Sequence, residues 1–148
     1  MLNLSGWPRY NIWEHSNIVR DLYSTRASGL AEEMTCAAQA AELLLDFVAP
    51  GDTLLDIGCG SGYFYHSLLS RRIPIEYWGI DSCQRFISIG RDALKSFGLS
   101  PDRLVHGRLE DLNAEFDHIL CMNVISNLDN FHRPLERILR SARKSVIL

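Results

Sequence analysis

The chain carries at residues 53–62 the sequence TLLDIGCGSG, in which an apolar run typical of a β-strand passes directly into a loop of alternating glycines. Glycines permit a tight turn and let a ligand approach the bare backbone. The amides that open the next helix then face that ligand. This stretch predicts the first strand, the ligand loop and the following helix of an α/β domain.

On either side of this loop the chain alternates between strand and helix patterns. Strands are predicted at 53–57, 75–80, 103–106 and 116–122, with a fifth beginning at 145–148, and helices at 16–26, 30–48, 62–72, 82–97 and 134–142. Ser16 and Ser82 are the expected N-caps of two of these helices. Regular alternation implies parallel strands joined by right-handed crossovers. Ligands of such sheets bind beyond the carboxyl ends of the strands, where the strand order reverses.

A glycine-rich loop also occurs in dinucleotide enzymes, but two features argue against that class. The fingerprint GxGxxG needs a third glycine, and the two possible registers place Tyr63 or Tyr65 there. In addition, Asp56 stands two residues before Gly58, where it would repel a pyrophosphate. A cationic ligand would instead be favoured, unless Asp56 only bonds local backbone amides.

The second predicted strand ends in Gly79-Ile80-Asp81-Ser82. Asp81 follows Gly62 by 19 residues, close to the spacing of an acid that accepts hydrogen bonds from both hydroxyls of a ribose. A carboxylate suits this role because it accepts several hydrogen bonds at once. The alternative is that Asp81 caps the next helix.

These motifs together resemble a known family. Four segments carry the resemblance: Leu55 to Gly62, Gly79-Ile80-Asp81, Glu110-Asp111-Leu112, and Phe116 to Met122. They are similar to the successive motifs of class I S-adenosylmethionine-dependent methyltransferases, in the group that modifies small molecules. The resemblance covers residues 42–148 and implies an α/β, Rossmann-like, doubly wound parallel sheet with strand order 3-2-1-4-5.

The resemblance also implies a set of cofactor contacts for S-adenosylmethionine, whose product is S-adenosylhomocysteine. The glycine loop would hold the methionine part, the acid after strand two the ribose, and the later loops the adenine and the substrate side. The implied residues are Asp56, Gly58, Cys59, Gly60, Asp81, Ser82, Leu109, Glu110, Met122 and Asn123. One departure is Arg108, which stands where the family commonly has an acid facing the adenine amine.

Methyl transfer depends mainly on positioning, because the sulfonium is already an excellent leaving group. A base is needed only when the acceptor still bears its proton at attack. No motif specifies one, and His15, Tyr10 and Asn123 are the candidates. The expected function is therefore methyl transfer to a small molecule, and the alternative is a non-catalytic cofactor-binding module with a regulatory or scaffolding role.

Composition and residue spacing disfavour several other classes of protein. A net charge of -3 disfavours a nucleic-acid partner. The histidines and the four cysteines show no metal-ligand spacing, so no metal is expected. Reduced cysteines, with no evident signal peptide or membrane span, predict a cytoplasmic protein.

Residues 1–29 differ in character from the core at 30–148. They contain aromatic side chains at positions 7, 10, 13 and 23, which suit either a lid over the cleft or a fixed cover for the sheet. At the other end, the resemblance implies that strands 6 and 7 are missing. The apolar edge of strand five then predicts one of three outcomes: a longer natural chain that supplies the next strands, self-association of two chains across this edge, or disorder at the terminus.

Overall fold

The computed structural model describes residues 12–148. Five strands form one parallel sheet, namely β1 (Asp52–Ile57), β2 (Ile75–Asp81), β3 (Leu104–His106), β4 (Phe116–Leu120) and β5 (Ala142–Ile147). Their order is β3-β2-β1-β4-β5, and every neighbouring pair is parallel. The predicted α/β class and strand order are confirmed, and the order reverses between β1 and β4.

Residues 12–148 contain six α-helices: α1 (Ile12–His15), α2 (Asn17–Ala27), α3 (Thr35–Leu45), α4 (Phe64–Ser70), α5 (Gln84–Leu94) and α6 (His132–Ser141). Side chains of α3, α4 and α5 form the core of one face, and Ile138 of α6 contributes to the other. Successive residues of β1 enter opposite cores, Leu54 the first and Leu55 the second. Burial on both faces explains why the central strand is continuously apolar.

The first five and the last three residues of the predicted helix at 30–48 are not helical, because α3 begins only at Thr35 and ends at Leu45. Gly29 closes α2 with a left-handed φ of 70°, and Met34 is extended, so the chain crosses between the two helices without helical turns. Glu33 in this crossing receives two hydrogen bonds from the Arg71 guanidinium. This ion pair joins residues 38 positions apart and helps to hold the extended crossing against α4.

Ser16 caps α2 as predicted, its hydroxyl accepting from the Val19 amide at 3.2 Å. The predicted cap at Ser82 is wrong: α5 begins one residue later, Cys83 is its N-cap residue, and the Cys83 amide donates to Asp81. β5 also begins three residues before the predicted Ser145.

Within residues 12–148, no helix is long and apolar enough to cross a membrane. The same part of the chain contains no group of metal-ligating side chains, and its four cysteines are free thiols.

Candidate cofactor and substrate cleft

A cleft of about 770 Å³ opens at the carboxyl ends of the strands, at the predicted point of strand-order reversal. Its size is ordinary for a small-molecule site. The loops after β1, β2, β3 and β4 all contribute to its wall, together with the beginning of the described chain. Seven of the residues predicted from sequence line it: Gly58, Asp81, Ser82, Leu109, Glu110, Met122 and Asn123.

The glycine loop contains three left-handed residues, namely Gly58 with φ 68°, Gly60 with φ 58° and Gly62 with φ 74°, of which Gly58 lies in the cleft wall. A Cβ atom added to Gly58 would collide with the Val124 side chain, and one added to Gly60 would collide with the Tyr23 ring. The amides of Gly58 and Cys59 both donate to the Ile80 carbonyl, which fixes the loop to β2. Only glycine fits at positions 58 and 60, so the loop is tightly packed on its outer side as well as open to a ligand.

Asp81 links the first two loops. One carboxylate oxygen accepts from the Gly60 amide at 2.8 Å, and the other accepts from the Cys83 amide at the same distance. Burial raises the pKa of Asp81. Both readings of this residue from sequence apply in part, because it bonds the start of α5 and also lines the cleft. Each oxygen still has a second acceptor position for a ligand hydroxyl.

Asp56 does not line the cleft, contrary to its expected role as a direct ligand contact. Its side chain is 3% exposed, and the Tyr77 hydroxyl donates to it at 2.8 Å. Burial raises the pKa of Asp56 to about 7. The alternation of β1 explains the correction: Asp56 lies on the same face as Leu54, so it points into the core beneath α3 and α4.

Cys59 and Gly60 also lie behind the cleft wall rather than on it. The Cys59 sulfur packs 2.7 Å from the position that a Cβ of Gly79 would occupy, and the residue is buried. The Tyr23 ring covers Gly60. Both residues can therefore contribute to the site through the backbone of the loop and not through side chains.

The loops after β3 and β4 complete the wall. All three of Arg108, Leu109 and Glu110 line the cleft; Leu109 is buried and packs into the second core, and the other two are exposed. Asn123 has a left-handed φ of 57°, which is uncommon for a residue with a side chain. Its carbonyl accepts from the Asn127 amide group at 2.8 Å. This bond helps to hold the strained turn that keeps Asn123 and Val124 against the cleft.

The model of the methyltransferase-domain family matches residues 55–146. The chain belongs to this family. It is 30% identical over 103 residues to a demethylmenaquinone methyltransferase of Tropheryma whipplei, covering 68% of this chain and 42% of that protein. It is 29% identical over 87 residues to the mitochondrial ubiquinone biosynthesis O-methyltransferase of Saccharomyces cerevisiae, covering 54% and 26%.

The fold is shared with a solved methyltransferase of Geobacter sulfurreducens in complex with S-adenosylhomocysteine. That structure has a TM-score of 0.58 and 21% identity, and the alignment covers 82% of this chain and 51% of that one. The chain thus spans about half the length of the relatives that it matches, or less.

The described N-terminal residues of this methyltransferase domain close one side of the cleft. Tyr23 stacks on Phe86 with ring centres 4.2 Å apart, and Trp13 meets Tyr23 edge-on at 6.5 Å. The Ser61 hydroxyl donates to the Tyr23 carbonyl, and Arg85 donates to the Glu14 carbonyl. The segment is therefore attached to the glycine loop and to α5 at once.

Two of the three candidate bases lie within residues 12–148, and of these Asn123 lines the cleft of the methyltransferase domain. His15 is exposed and is not part of the wall. Tyr10, like Trp7, lies outside the described residues. Sequence reasoning missed Arg26, Met34 and Phe86, which line the cleft although they belong to none of the strand-end loops. A partial signal existed, since Arg26 follows Tyr23 by three residues and so shares its helix face.

Proposed function

We propose that this methyltransferase domain binds S-adenosylmethionine in the cleft and transfers its methyl group to a small-molecule acceptor. The observation that carries the proposal is Asp81, whose carboxylate both braces the Gly60 amide and lines the cleft. The residues present fit the cofactor. The turn at Gly58 and Gly60 leaves no room for side chains, and Asp81 offers the cleft a carboxylate that can accept hydrogen bonds from ribose hydroxyls.

The proposed contacts follow the order of the loops. The backbone at Gly58, Cys59 and Gly60 holds the amino-acid part, and Asp81 accepts from the ribose. Adenine lies toward the residues after β2 and β3, and the methionine end toward those after β4. The side chains concerned in these last two regions are Ser82, Leu109, Glu110, Met122 and Asn123. Asp56 acts indirectly in this scheme, by supporting the loop from below through Tyr77.

When bound, the cofactor supplies an electrophilic methyl group on a sulfonium. The work left to the chain is to orient the acceptor and to keep water out. The aromatic side chains of the N-terminal segment, Trp13 and Tyr23, suit the second task, so we assign residues 12–29 to a lid on the core at 30–148. Asn123 has no proton-accepting nitrogen of useful basicity, and we assign it hydrogen bonding to the acceptor rather than base catalysis.

Small molecules are the proposed acceptors because the two curated relatives are named for quinone biosynthesis. The net charge of -3 gives no support to a nucleic-acid substrate. The four free cysteines suit the reducing conditions of the cytoplasm, which we propose as the protein's location.

The test is turnover. The protein is incubated with S-adenosylmethionine carrying a tritiated methyl group and with fractions of a small-molecule extract, and both S-adenosylhomocysteine and labelled product are measured. Release of S-adenosylhomocysteine in step with label transfer supports the enzyme. Tight cofactor binding without transfer to any fraction would instead support the non-catalytic regulatory or scaffolding module.

A further inference from the structure

Arg26 lies in the wall of the cleft, where its guanidinium faces aromatic rings and not a carboxylate. Its guanidinium lies 5.4 Å from the ring centre of Tyr23 and 5.2 Å from that of Tyr63. The side chain is half-buried. Within residues 12–148, it makes no hydrogen bond and no ion pair.

The other half-buried arginines of residues 12–148 each have an oxygen partner. Side-chain carboxylates serve three of them and backbone carbonyls the other three: Arg20, Arg71 and Arg103 in the first set, and Arg85, Arg91 and Arg137 in the second. A partly desolvated guanidinium without an acceptor is costly, and proteins rarely leave one so. Among the half-buried arginines of residues 12–148, Arg26 is therefore the one whose guanidinium is still able to bind an anion.

Arg26 also stands between two cavities. A second cavity of about 320 Å³ adjoins the cleft, and the two share Arg26, Met34 and Tyr63 in their walls. The smaller cavity lies between the segment 29–34, α3 and α4, and its wall includes Glu32 and also Glu33, whose carboxylate is paired with Arg71. None of the residues that we assign to the cofactor lines it. The guanidinium thus borders a space that the proposed cofactor contacts leave free.

The rings beside Arg26 define the rest of the ligand. Tyr23 and Tyr63 meet edge-on at 6.0 Å, and Met34 lines both cavities next to them. Aromatic faces and a thioether favour a flat apolar body. A guanidinium offers a planar fork of donors that matches a carboxylate.

We propose that Arg26 binds the carboxylate of the methyl acceptor, and that the acceptor class is a small aromatic acid. This inference rests on the proposed methyl transfer. The carboxylate pairs with Arg26, the ring of the acid packs against Tyr63 and Met34, and the atom to be methylated points into the larger cavity.

The first arm of the test asks whether Arg26 belongs to the cofactor instead. Binding of S-adenosylhomocysteine and of 5′-methylthioadenosine, which lacks the amino-acid part, is measured by calorimetry for wild type and Arg26→Gln. We expect both affinities to stay within about two-fold of wild type. A loss of affinity for S-adenosylhomocysteine alone would assign Arg26 to the cofactor carboxylate and overturn the proposal. If the wild type binds neither nucleoside, the proposed function itself fails. This outcome is distinct from a failure of the Arg26 assignment, in which the wild type binds the cofactor product normally.

The second arm uses paired probes on protein saturated with S-adenosylhomocysteine. The pairs are salicylate and salicylamide, 4-hydroxybenzoate and 4-hydroxybenzamide, and 3,4-dihydroxybenzoate and its amide. We expect at least one acid to bind about ten-fold more tightly than its amide, as a charge-assisted pair should. Arg26→Gln should abolish this preference, and Arg26→Lys should restore part of it. Arg133→Gln, at an exposed arginine of α6 that lines neither cavity, is the control and should leave the preference intact. Equal binding of acids and amides, no binding of any acid, or an unchanged preference in Arg26→Gln would overturn the proposal.

Discussion

Asp56 is the residue whose environment differs most from what its motif suggests. It is a buried acid in contact with the Tyr77 hydroxyl, and burial raises its pKa to about 7. Between about pH 4 and pH 7 the native state therefore holds a proton that the unfolded chain releases. The free energy of unfolding must then fall as the pH rises through this window, as far as Asp56 is concerned.

Replacing Asp56 by Asn should remove this fall in the free energy of unfolding, because the amide does not titrate. The amide also keeps the size of the side chain and an acceptor for the Tyr77 hydroxyl. We expect the drop in the free energy of unfolding from pH 5 to pH 8 to shrink by about 2–3 kcal/mol in Asp56→Asn. Urea titrations at the two pH values measure it. The same pH dependence in wild type and variant would mean that Asp56 is ionised in the native protein across this range.

Asp81 combines binding with support of the glycine loop, because its two oxygens accept from the Gly60 and Cys83 amides. Asp81→Ala should weaken S-adenosylhomocysteine binding by roughly 2–3 kcal/mol, since it removes charged acceptors. Asp81→Asn retains one acceptor oxygen and should lose less. Calorimetry and thermal melting of both variants check this. Unchanged affinity with a sharply lower Tm would make Asp81 a structural brace only.

The sequence predicts the residues of the site whose position follows from one strand and the loop after it. Gly58, Asp81 and Asn123 were found in this way because strand ends converge at one edge of a parallel sheet. The sequence does not predict the direction of the Asp56 side chain, because that direction depends on which face of β1 each core layer covers. Arg26 was missed because its importance arises from contacts with Tyr63, 37 positions later in the chain.

Among the elements, local sequence signals predict both ends of α2 but misplace the start of α3. The Ser16 cap and the Gly29 stop bracket α2 as the sequence indicates. The extended crossing before α3 is held in part by the ion pair of Glu33 with Arg71, which connects residues 38 apart. No local pattern carries such information.

The N-terminal segment is interpreted either as a lid over the cleft or as a fixed cover for the sheet. The two interpretations differ in whether α2 contributes to the affinity for the cofactor. In Tyr23→Leu the ring that covers Gly60 and stacks on Phe86 is lost. If α2 is a lid, the affinity for S-adenosylhomocysteine should fall about three-fold to ten-fold, and amide exchange in residues 17–27 should accelerate.

Ile18→Ala is the matched control on the same helix, because Ile18 is 84% exposed. It should change neither the affinity nor the exchange rates. A Tyr23→Leu protein that melts earlier but binds S-adenosylhomocysteine as wild type does would identify α2 as a cover with no part in the site.

For the molecule as a whole, the two sheet edges are β3 and β5. In β5, Val146 and Ile147 pack into opposite cores, as expected for a strand covered on both faces. Arg143 forms an ion pair with Asp117 of the neighbouring β4, and Lys144 forms one with Asp52 of β1, the next strand beyond it, which ties β5 to the sheet. Among the described residues, no further strand pairs with the outer edge of β5.

We therefore predict that the 148-residue chain self-associates through β5. Sedimentation velocity over a hundred-fold range of protein concentration should show a concentration-dependent rise in mean mass. Amides of residues 142–147 should exchange more slowly at the high end of this range. A single monomeric species throughout would contradict the prediction.

The central claim is that the glycine loop and Asp81 form a site for S-adenosylmethionine and not for a dinucleotide. Calorimetric titration of the wild-type protein with S-adenosylhomocysteine and, separately, with NAD tests it most directly. The account predicts saturable one-to-one binding of S-adenosylhomocysteine and no measurable binding of NAD. Tighter binding of NAD than of S-adenosylhomocysteine would contradict it.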